Sequence, residues 1–589
     1  MNALNKSQFP LGFLQKTVLA FACASAVTLS AAHAQITTVF YILLENRCWT
    51  DNGLDTSPAQ IKGSTAAPFL NALTTPGSTA PAGSFFAAQS MSPSAQVAYA
   101  TCYHNVLANA SNTAPSIHPS EPNYVYMEAG SNLSKLDDND PYGSTLSVAQ
   151  ISEYLTANPG VSNENFSSLL QNAGLTWKSY TEGVNQFNTA GGNYNGPTGT
   201  LDNTGAGHTG ILPSSQWTVP LVSFSGNNAA YVNPYNGTHQ WNFAAKHTGQ
   251  LFFPATNGST INTANTSTSN PMAQNYPPLP QLAVDLANNT CANYNVITPD
   301  QFNDMHTALG TAFTYTPNAA NNFFGTGVTY AAGSDIEQIA QGDNFCATVV
   351  PQIMASPVYQ AGHAAIVIWT DETEGSPQND FNHTLTEIVI SPLTKGNAYA
   401  SNLNYDHSSD INTWQKVFGV VANTPTGFLN NASLPSNSST AAFAGIGNGH
   451  GATGWGIGGL DGFGEAYDLS DLFTPGTIPA TLPGLSMNPS GYVYNRRTNS
   501  ENQTVTVTNV LSTAITTPIY LVEGNLSANT SLVNASGTTA NHAAGSPYVT
   551  VSQTGLAAGA SILVSLQFTP PTSGAISANP IIVTTSGAP

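Results

Sequence analysis

Ile36-Thr-Thr-Val-Phe-Tyr-Ile-Leu-Leu44 is an unbroken apolar, β-branched run that stops abruptly at Glu45-Asn46-Arg47. A strand reads this way when helices cover both faces of its sheet, because no side chain along it needs to meet water. Ala364-Ala-Ile-Val-Ile-Trp-Thr370 repeats the pattern and delivers Asp371-Glu372, and Thr386-Glu-Ile-Val-Ile-Ser391 is a third strand. Leu175 to Tyr180 reads as another, and the short Tyr294-Asn-Val-Ile297 runs into Thr298-Pro-Asp-Gln-Phe-Asn-Asp304-Met-His306. Helical spacing between these stretches covers 147–154, 166–172, 279–286 and 336–354, whereas residues 51 to 115 read as loop with small helical patches. The pattern is α/β, a sheet sandwiched by helices, and ligands of such sheets gather at the carboxyl ends of strands. Acids and amides placed there are candidates for a site, with plain capping turns as the alternative.

A second stretch matters for chemistry: Ser116-Ile-His118-Pro-Ser120-Glu-Pro-Asn123-Tyr124 puts a hydroxyl, an imidazole and an amide within a few residues. Proline fixes its own φ and restricts the residue before it, so the Pro-Ser-Glu-Pro run is a stiff turn presenting Ser120. Such a serine is either a nucleophile or a helix N-cap, since Glu121 and the apolar Tyr124, Val125 and Met127 follow it.

Composition narrows the function classes. The first 34 residues read as a secretory signal, with Lys6 and Lys16 ahead of an apolar run and an Ala32-His33-Ala34 cleavage site. Removing it changes the net charge from 11 − 31 = −20 to 9 − 31 = −22, which argues against a nucleic-acid partner. No later stretch is long and apolar enough to span a bilayer, so a secreted or periplasmic protein without a transmembrane segment is expected. Only 7% of the 589 residues are charged; we take this as a hypothesis of adaptation to acid surroundings, where protonation removes carboxylate pairings. An activity optimum near neutral pH with rapid loss below it would count against that idea. Cys48, Cys102, Cys291 and Cys346 remain in the exported chain, enough for two disulfides in any of three pairings, and no Cys-x-x-Cys spacing suggests zinc.

Other candidates are spread along the chain. Lys246-His247 is either a solvated helix end or a pair of substrate contacts. Asp304 and His306 offer one oxygen and one nitrogen to an ion from an irregular turn. Adjacent carboxylates at Asp371-Glu372 are costly to desolvate without a cation between them. His407, in Asn404-Tyr-Asp-His-Ser-Ser409, sits where a helix opens through Trp414 and Phe418, and His450 lies in a glycine-rich run from 445 to 464. From about Ser486 to 589 short β segments alternate at the intervals of an Ig-like β-sandwich, with no convergent Asp, His or Cys. That segment is read as a spacing or adhesive domain making cell-surface or polysaccharide contacts, and 35–480 as the catalytic domain.

Two carboxylate clusters, histidines and a presented serine suit metal-assisted displacement at phosphorus, in which a divalent cation lowers the serine pKa and clamps attacking and leaving oxygens. A Ser-His-Asp acyl hydrolase would leave the surplus acids unexplained, and no Gly-x-Ser-x-Gly surrounds Ser120.

These motifs, Tyr41-Ile-Leu-Leu-Glu45-Asn46-Arg47, His118-Pro-Ser120-Glu-Pro-Asn123-Tyr124, Thr298 to His306, Thr370-Asp371-Glu372 and Tyr405-Asp-His407-Ser, taken in order, resemble the phosphoesterase family of bacterial phospholipases C and acid phosphatases, within the alkaline phosphatase superfamily. The resemblance spans about residues 36 to 475 and implies an alkaline-phosphatase-like sheet with a metal site at its strand ends. By matching position it implies Glu45, Asn46, Ser120, Asp371 and Glu372 around one metal, and Asp304, His306 and His407 in a second metal or phosphate subsite. It further implies Ser120 as nucleophile, with His118 and Asn123 against phosphate or leaving group. The form His-Pro-Ser-x-Pro-Asn-Tyr is more similar to the acid phosphatase branch. Cys48-Trp49-Thr50 replaces the family's usual Ser-Phe-Asp, Met305 stands where glycine is common, and Thr-Glu-Gly follows Asp371-Glu372 where a glycine pair is usual.

Overall fold

A computed structural model describes residues 36–51, 60–104, 119–130, 133, 138–141, 164–184, 212–219, 221, 223–227, 232–258, 268–315, 323, 328–374, 384–420, 422, 428–429, 468–479, 485–509, 514–516, 518–524, 526–539, 545–572, 574–576 and 578–584. His118, His450, the signal-like segment and the helix expected over 147–154 lie outside them.

The main sheet has seven strands: β1 (Thr38–Leu44), β2 (Val97–Tyr103), β3 (Trp177–Thr181), β4 (Tyr294–Thr298), β5 (Ala364–Thr370), β6 (Glu387–Ile390) and β7 (Tyr399–Tyr405), in the order β7-β2-β6-β5-β1-β4-β3. β1 is central and pairs in parallel with β4 and β5, and β3 is parallel to β4. β6 runs antiparallel to both β5 and β2, and β7 is parallel to β2. Six strands therefore end at one edge of the sheet, and the one reversed strand, β6, begins there.

Both faces are covered, as the unbroken apolar runs require. Val39, Tyr41, Val367, Trp369 and Val389 pack on one side with helices α2 (Glu121–Ala129), α3 (Phe166–Asn172) and α6 (His407–Phe418). Phe40, Ile42, Ile366, Ile368 and Ile388 pack on the other with α1 (Pro68–Leu73), α4 (Pro280–Asn288) and α5 (Asp335–Met354). Each such side chain contributes about 1.5–3 kcal/mol by leaving water. The helix starts are chemically marked: Ser334 caps α5 by accepting from Glu337 N, and Asp406 with Ser409 forms a capping box on α6. Buried Asp343 of α5 accepts the Phe69 and Leu70 N–H groups of α1 at 3.0 and 2.8 Å, a bond across elements that no local pattern announces.

Two strands depart from the expectations. β2 lies where loop with helical patches was expected; Val-Ala-Tyr-Ala-Thr-Cys-Tyr has no sustained β-branched run, and pairing with β6 and β7 rather than propensity makes it a strand. β7 is a polar edge strand with a register shift between Ser401 and Asn404, which hides its alternation. The four cysteines are free thiols, so neither disulfide is present. No helix among the described residues is long and apolar enough to cross a membrane.

The C-terminal part forms two small antiparallel sheets. Strands β8 (Leu485–Pro489), β9 (Val493–Asn495) and β10 (Ser500–Asn509) make one, joined by β14 (Ser561–Phe568) alongside β10. β11 (Ile519–Gly524), β12 (Gly537–Thr538), β13 (Pro547–Ser552) and β15 (Asn579–Thr584) make the other. Their shared core includes Val505, Val507, Leu521, Leu566 and Phe568, the packing of a β-sandwich.

Candidate metal centre and nucleophile

The site assembles where the parallel strands end. Glu45, the first residue past β1, is fully buried, and its N–H donates to the Asp304 carbonyl at 2.7 Å. Asn46 follows at φ 51°, a left-handed conformation that asparagine tolerates better than most residues. That turn lets its N–H donate to Asp371 Oδ1 at 3.1 Å. Asp371, just past β5, donates its own N–H to Leu44 O at 3.3 Å. Arg47, buried with them, bonds Asp335 and Gln338 of α5 and pairs with Glu374, so it ties the two strand-end loops to one helix.

Ser120 immediately precedes α2 with helical φ and ψ of −59° and −41°, and its side chain caps nothing. The hydroxyl instead donates to Glu372 Oε1 at 2.9 Å, while Asn123 Nδ2, one turn into the helix, donates to Glu372 Oε2 at 3.1 Å. The N-cap reading thus fails for the side chain, because a buried carboxylate across the sheet edge competes better for the proton.

Glu45, Asp371 and Glu372 can place one carboxylate oxygen each within 4.8 Å of one another. Glu45 Oε2, Asp371 Oδ2 and Asn46 Oδ1 are buried with no donor among the described residues, and the Glu45 and Asp371 carboxyls lie close enough to share a proton. Burial, then Glu45 and Glu372, pushes the Asp371 carboxyl well above its ordinary range; burial, then Glu45, does the same to Glu372. Three clustered buried carboxylates, two of which keep an oxygen without a donor, fit a hard divalent cation, which would supply the missing charge and bonds.

A second acidic arm comes from the segment after β4. Asp300 accepts the N–H groups of Phe302 and Asn303, both at 3.1 Å, and Glu182 accepts Asp300 N at 2.9 Å, so the loop is knotted from behind. Met305 has φ 83°, a left-handed conformation that glycine adopts readily and a long side chain seldom does. Its side chain fits because α5 has Gly342 opposite: a Cβ there would meet Met305 Cγ at 2.3 Å. Asp304 Oδ1 accepts His306 N at 2.8 Å and its Oδ2 lies 3.6 Å from His247 Nδ1.

His247 is not a solvated helix end. It is 1% exposed, its Nε2 stands 2.8 Å from Glu45 Oε1, and Tyr124 stacks on it at 4.8 Å. Gly249 permits this approach, since a Cβ there would meet Tyr124 O at 2.3 Å. Burial opposes charge on His247, yet Glu45 and Asp304 push its pKa up to about 9. Burial likewise opposes charge on Glu45, and the neighbouring His247 holds that carboxyl well below its ordinary range. Lys246 pairs with Asp138 at the rim.

His306 stays beside Asp304 and His247, whereas His407 is placed differently from the expected second subsite. The Nδ1 of His306 meets Thr307 Oγ1 at 2.9 Å, and its ring lies 6.4 Å from that of His247. His407 stands behind the cluster with both nitrogens engaged, Nε2 on the Asp371 carbonyl at 2.7 Å and Nδ1 on the Tyr103 hydroxyl at 3.0 Å. Sequence reading missed Glu182 and the roles of Tyr103, Tyr124 and Asp410. Tyr124 was in plain view inside the serine motif as an apolar helix residue; the others carry no local signal.

No family model matches the chain, and no curated protein matches it in sequence. Among solved structures it is similar to an alkaline phosphatase superfamily protein from Vibrio parahaemolyticus, with 8% identity, 80% of this chain and 77% of that one covered, and a TM-score of 0.32. It is also similar to the lipoteichoic acid synthase LtaP of Listeria monocytogenes, with 9% identity, coverage of 69% and 76%, and a TM-score of 0.31. For the phosphonate monoester hydrolase of Agrobacterium radiobacter the identity is 10%, the coverage 80% and 86%, and the TM-score 0.29. Likeness this slight assigns no chemistry, which rests on the residues themselves.

Proposed function

We propose that this chain is an exported, metal-dependent hydrolase of phosphomonoesters that works through a phosphoserine on Ser120. The single observation that carries the reading is Ser120 Oγ donating at 2.9 Å to Glu372, within a buried carboxylate group that has oxygens to spare. Glu45, Asn46, Asp371 and Glu372 would hold a divalent cation beside Ser120. Such a cation, when bound, lowers the pKa of a nearby hydroxyl and offsets charge gathering on phosphoryl oxygens.

The chain's own residues do the rest. The Ser120 proton leaves along the existing bond to Glu372 as Oγ attacks phosphorus, forming the Oγ–P bond while the bond to the leaving alkoxide breaks. Asn123 keeps the Glu372 carboxylate turned toward Ser120. His247, set between Glu45 and Asp304, fixes both, and Lys246 supplies a rim cation for the incoming dianion. His118 belongs with the substrate contacts by its place in the motif. Water then attacks the phosphoserine, releasing inorganic phosphate and restoring the hydroxyl. The 1–34 signal, the 35–480 catalytic unit and the 486–589 β-sandwich with its surface contacts remain part of this proposal.

Ser120→Ala is expected to lower turnover of an aryl phosphate by on the order of 10⁴-fold or more with the fold intact. Retained turnover in that variant sinks the mechanism. Faster release from a phosphatidylcholine analogue than from the aryl phosphate would move the substrate class to phosphodiesters of the phospholipase C type.

A further inference from the structure

A line of buried side chains runs from the core to the back of the metal centre. Trp414 Nε1 donates to the Tyr41 hydroxyl, which donates to Asp410 Oδ1 at 2.5 Å. Asp410 Oδ2 lies 2.6 Å from the Tyr103 hydroxyl, which also receives Trp369 Nε1 at 3.0 Å and meets His407 Nδ1 at 3.0 Å. His407 Nε2 closes the line on the Asp371 carbonyl at 2.7 Å. All six side chains are no more than 2% exposed, so water does not substitute for a missing partner and each bond matters.

A donor count shows that the line is committed. The Asp371 carbonyl only accepts, so His407 Nε2 carries a proton. Tyr103 has one hydroxyl proton and faces both Asp410 and His407 Nδ1. It can serve one of them, and the other contact must bring its own proton. The carboxyl fits that need: burial, the largest influence on it, raises Asp410 to about 7. Glu387 of β6 is buried beside Asp410 with neither carboxylate oxygen bonded among the described residues, and burial, then Asp410, raises its carboxyl well above the ordinary range.

The far end of the line explains its use. Asp371 lies just past the last residue of β5, so its peptide is no longer held by the regular ladder. Its N–H is on Leu44 O and its Oδ1 on Asn46 N. The His407 bond to its carbonyl is the third anchor, and together they leave Oδ2 without a donor among the described residues, in the carboxylate cluster with Glu45 and Glu372. We propose that Asp410 and Tyr103 are positioning residues of the metal centre, holding His407 so that it fixes the Asp371 peptide and thereby the aim of the Asp371 carboxylate. This inference rests on the reading of Glu45, Asp371 and Glu372 as metal ligands.

The test uses the full chain, with binding of Mn²⁺, Zn²⁺ and Ca²⁺, each alone, measured by equilibrium dialysis, and kcat and KM measured on an aryl phosphate. Tyr103→Phe removes one oxygen atom and is expected to weaken binding of the preferred ion about 10- to 100-fold, with kcat reduced and KM little changed. Asp410→Asn offers Tyr103 an N–H in place of the acid's O–H and is expected to retain binding within about threefold, whereas Asp410→Leu, of similar size, loses it as Tyr103→Phe does. That rescue pattern is one a bulk structural role would not produce, and Tyr103→Phe decides the matter should Asp410→Leu not fold. Unchanged ion affinity in Tyr103→Phe, or Asn as damaging as Leu at 410, overturns the inference while leaving the metal reading intact. A wild-type chain that takes up none of the three ions overturns both.

Discussion

Two buried acidic places in this molecule are built in opposite ways. Glu128, at the end of α2, accepts from Ser167 Oγ and Gln250 Nε2 on one oxygen and from Ser167 N and Asn165 Nδ2 on the other, at 2.8 to 3.2 Å. The helix that carries it begins beside Ser120, where Glu45 and Asp371 each keep a buried oxygen with no donor among the described residues. A carboxylate surrounded by protein donors is part of the scaffold; one left short of donors next to two others is prepared for something the chain does not contain. Burial alone does not separate the two, because both are sealed from water.

The largest effect expected from this contrast is at Asp371. Asp371→Asn should lower turnover on the order of 10³-fold or more and abolish stoichiometric metal uptake. In chelator-treated protein the same change should raise the melting temperature, since it removes one of three mutually repelling buried carboxylates. A lower melting temperature without metal would mean that Asp371 is scaffold like Glu128.

Glu128→Ala should behave the other way round. It strands four buried donors, at a cost of about 2–4 kcal/mol of stability, while metal stoichiometry in the folded fraction stays at the wild-type value. Denaturant unfolding paired with metal analysis reads both, and loss of metal without loss of stability would break the distinction.

The smallest effect lies in the C-terminal sheets, where Glu523 of β11 is buried and its pKa is pushed up to about 7 by burial. The native state then binds a proton that the unfolded state has released between the ordinary carboxyl value and about 7. Stability of that region is full below the ordinary value and falls as pH rises toward 7, by up to about 3 kcal/mol. Glu523→Gln should flatten that slope; melting curves of the two proteins between pH 4.5 and 7.5 with identical slopes would refute it. Glu128, Glu182 and Asp410 are also raised to about 7, with burial the largest cause in each, so the same sign holds in the larger unit.

The sequence alone was enough for β1, β4 and β5 and for the residues that follow them. An apolar, β-branched run is a local pattern, and the acid that ends it is adjacent in the chain. Glu45, Asn46, Asp304, Asp371, Glu372 and Ser120 could therefore be singled out before any contact was known. Tertiary structure alone decided that β6 runs backwards, that β2 and β7 are strands, and that the Ser120 hydroxyl turns to Glu372, 252 residues away, instead of capping its helix. It also decided which histidine enters the acidic cluster. His247 does so from an irregular segment because Gly249 lets that segment reach Tyr124, while His407, from a better motif, is drawn behind the site by the Asp371 carbonyl and Tyr103. Local spacing specifies conformation, whereas the partner of a buried polar group is chosen by whatever donors and acceptors packing brings within 3 Å, and packing is a property of the whole chain.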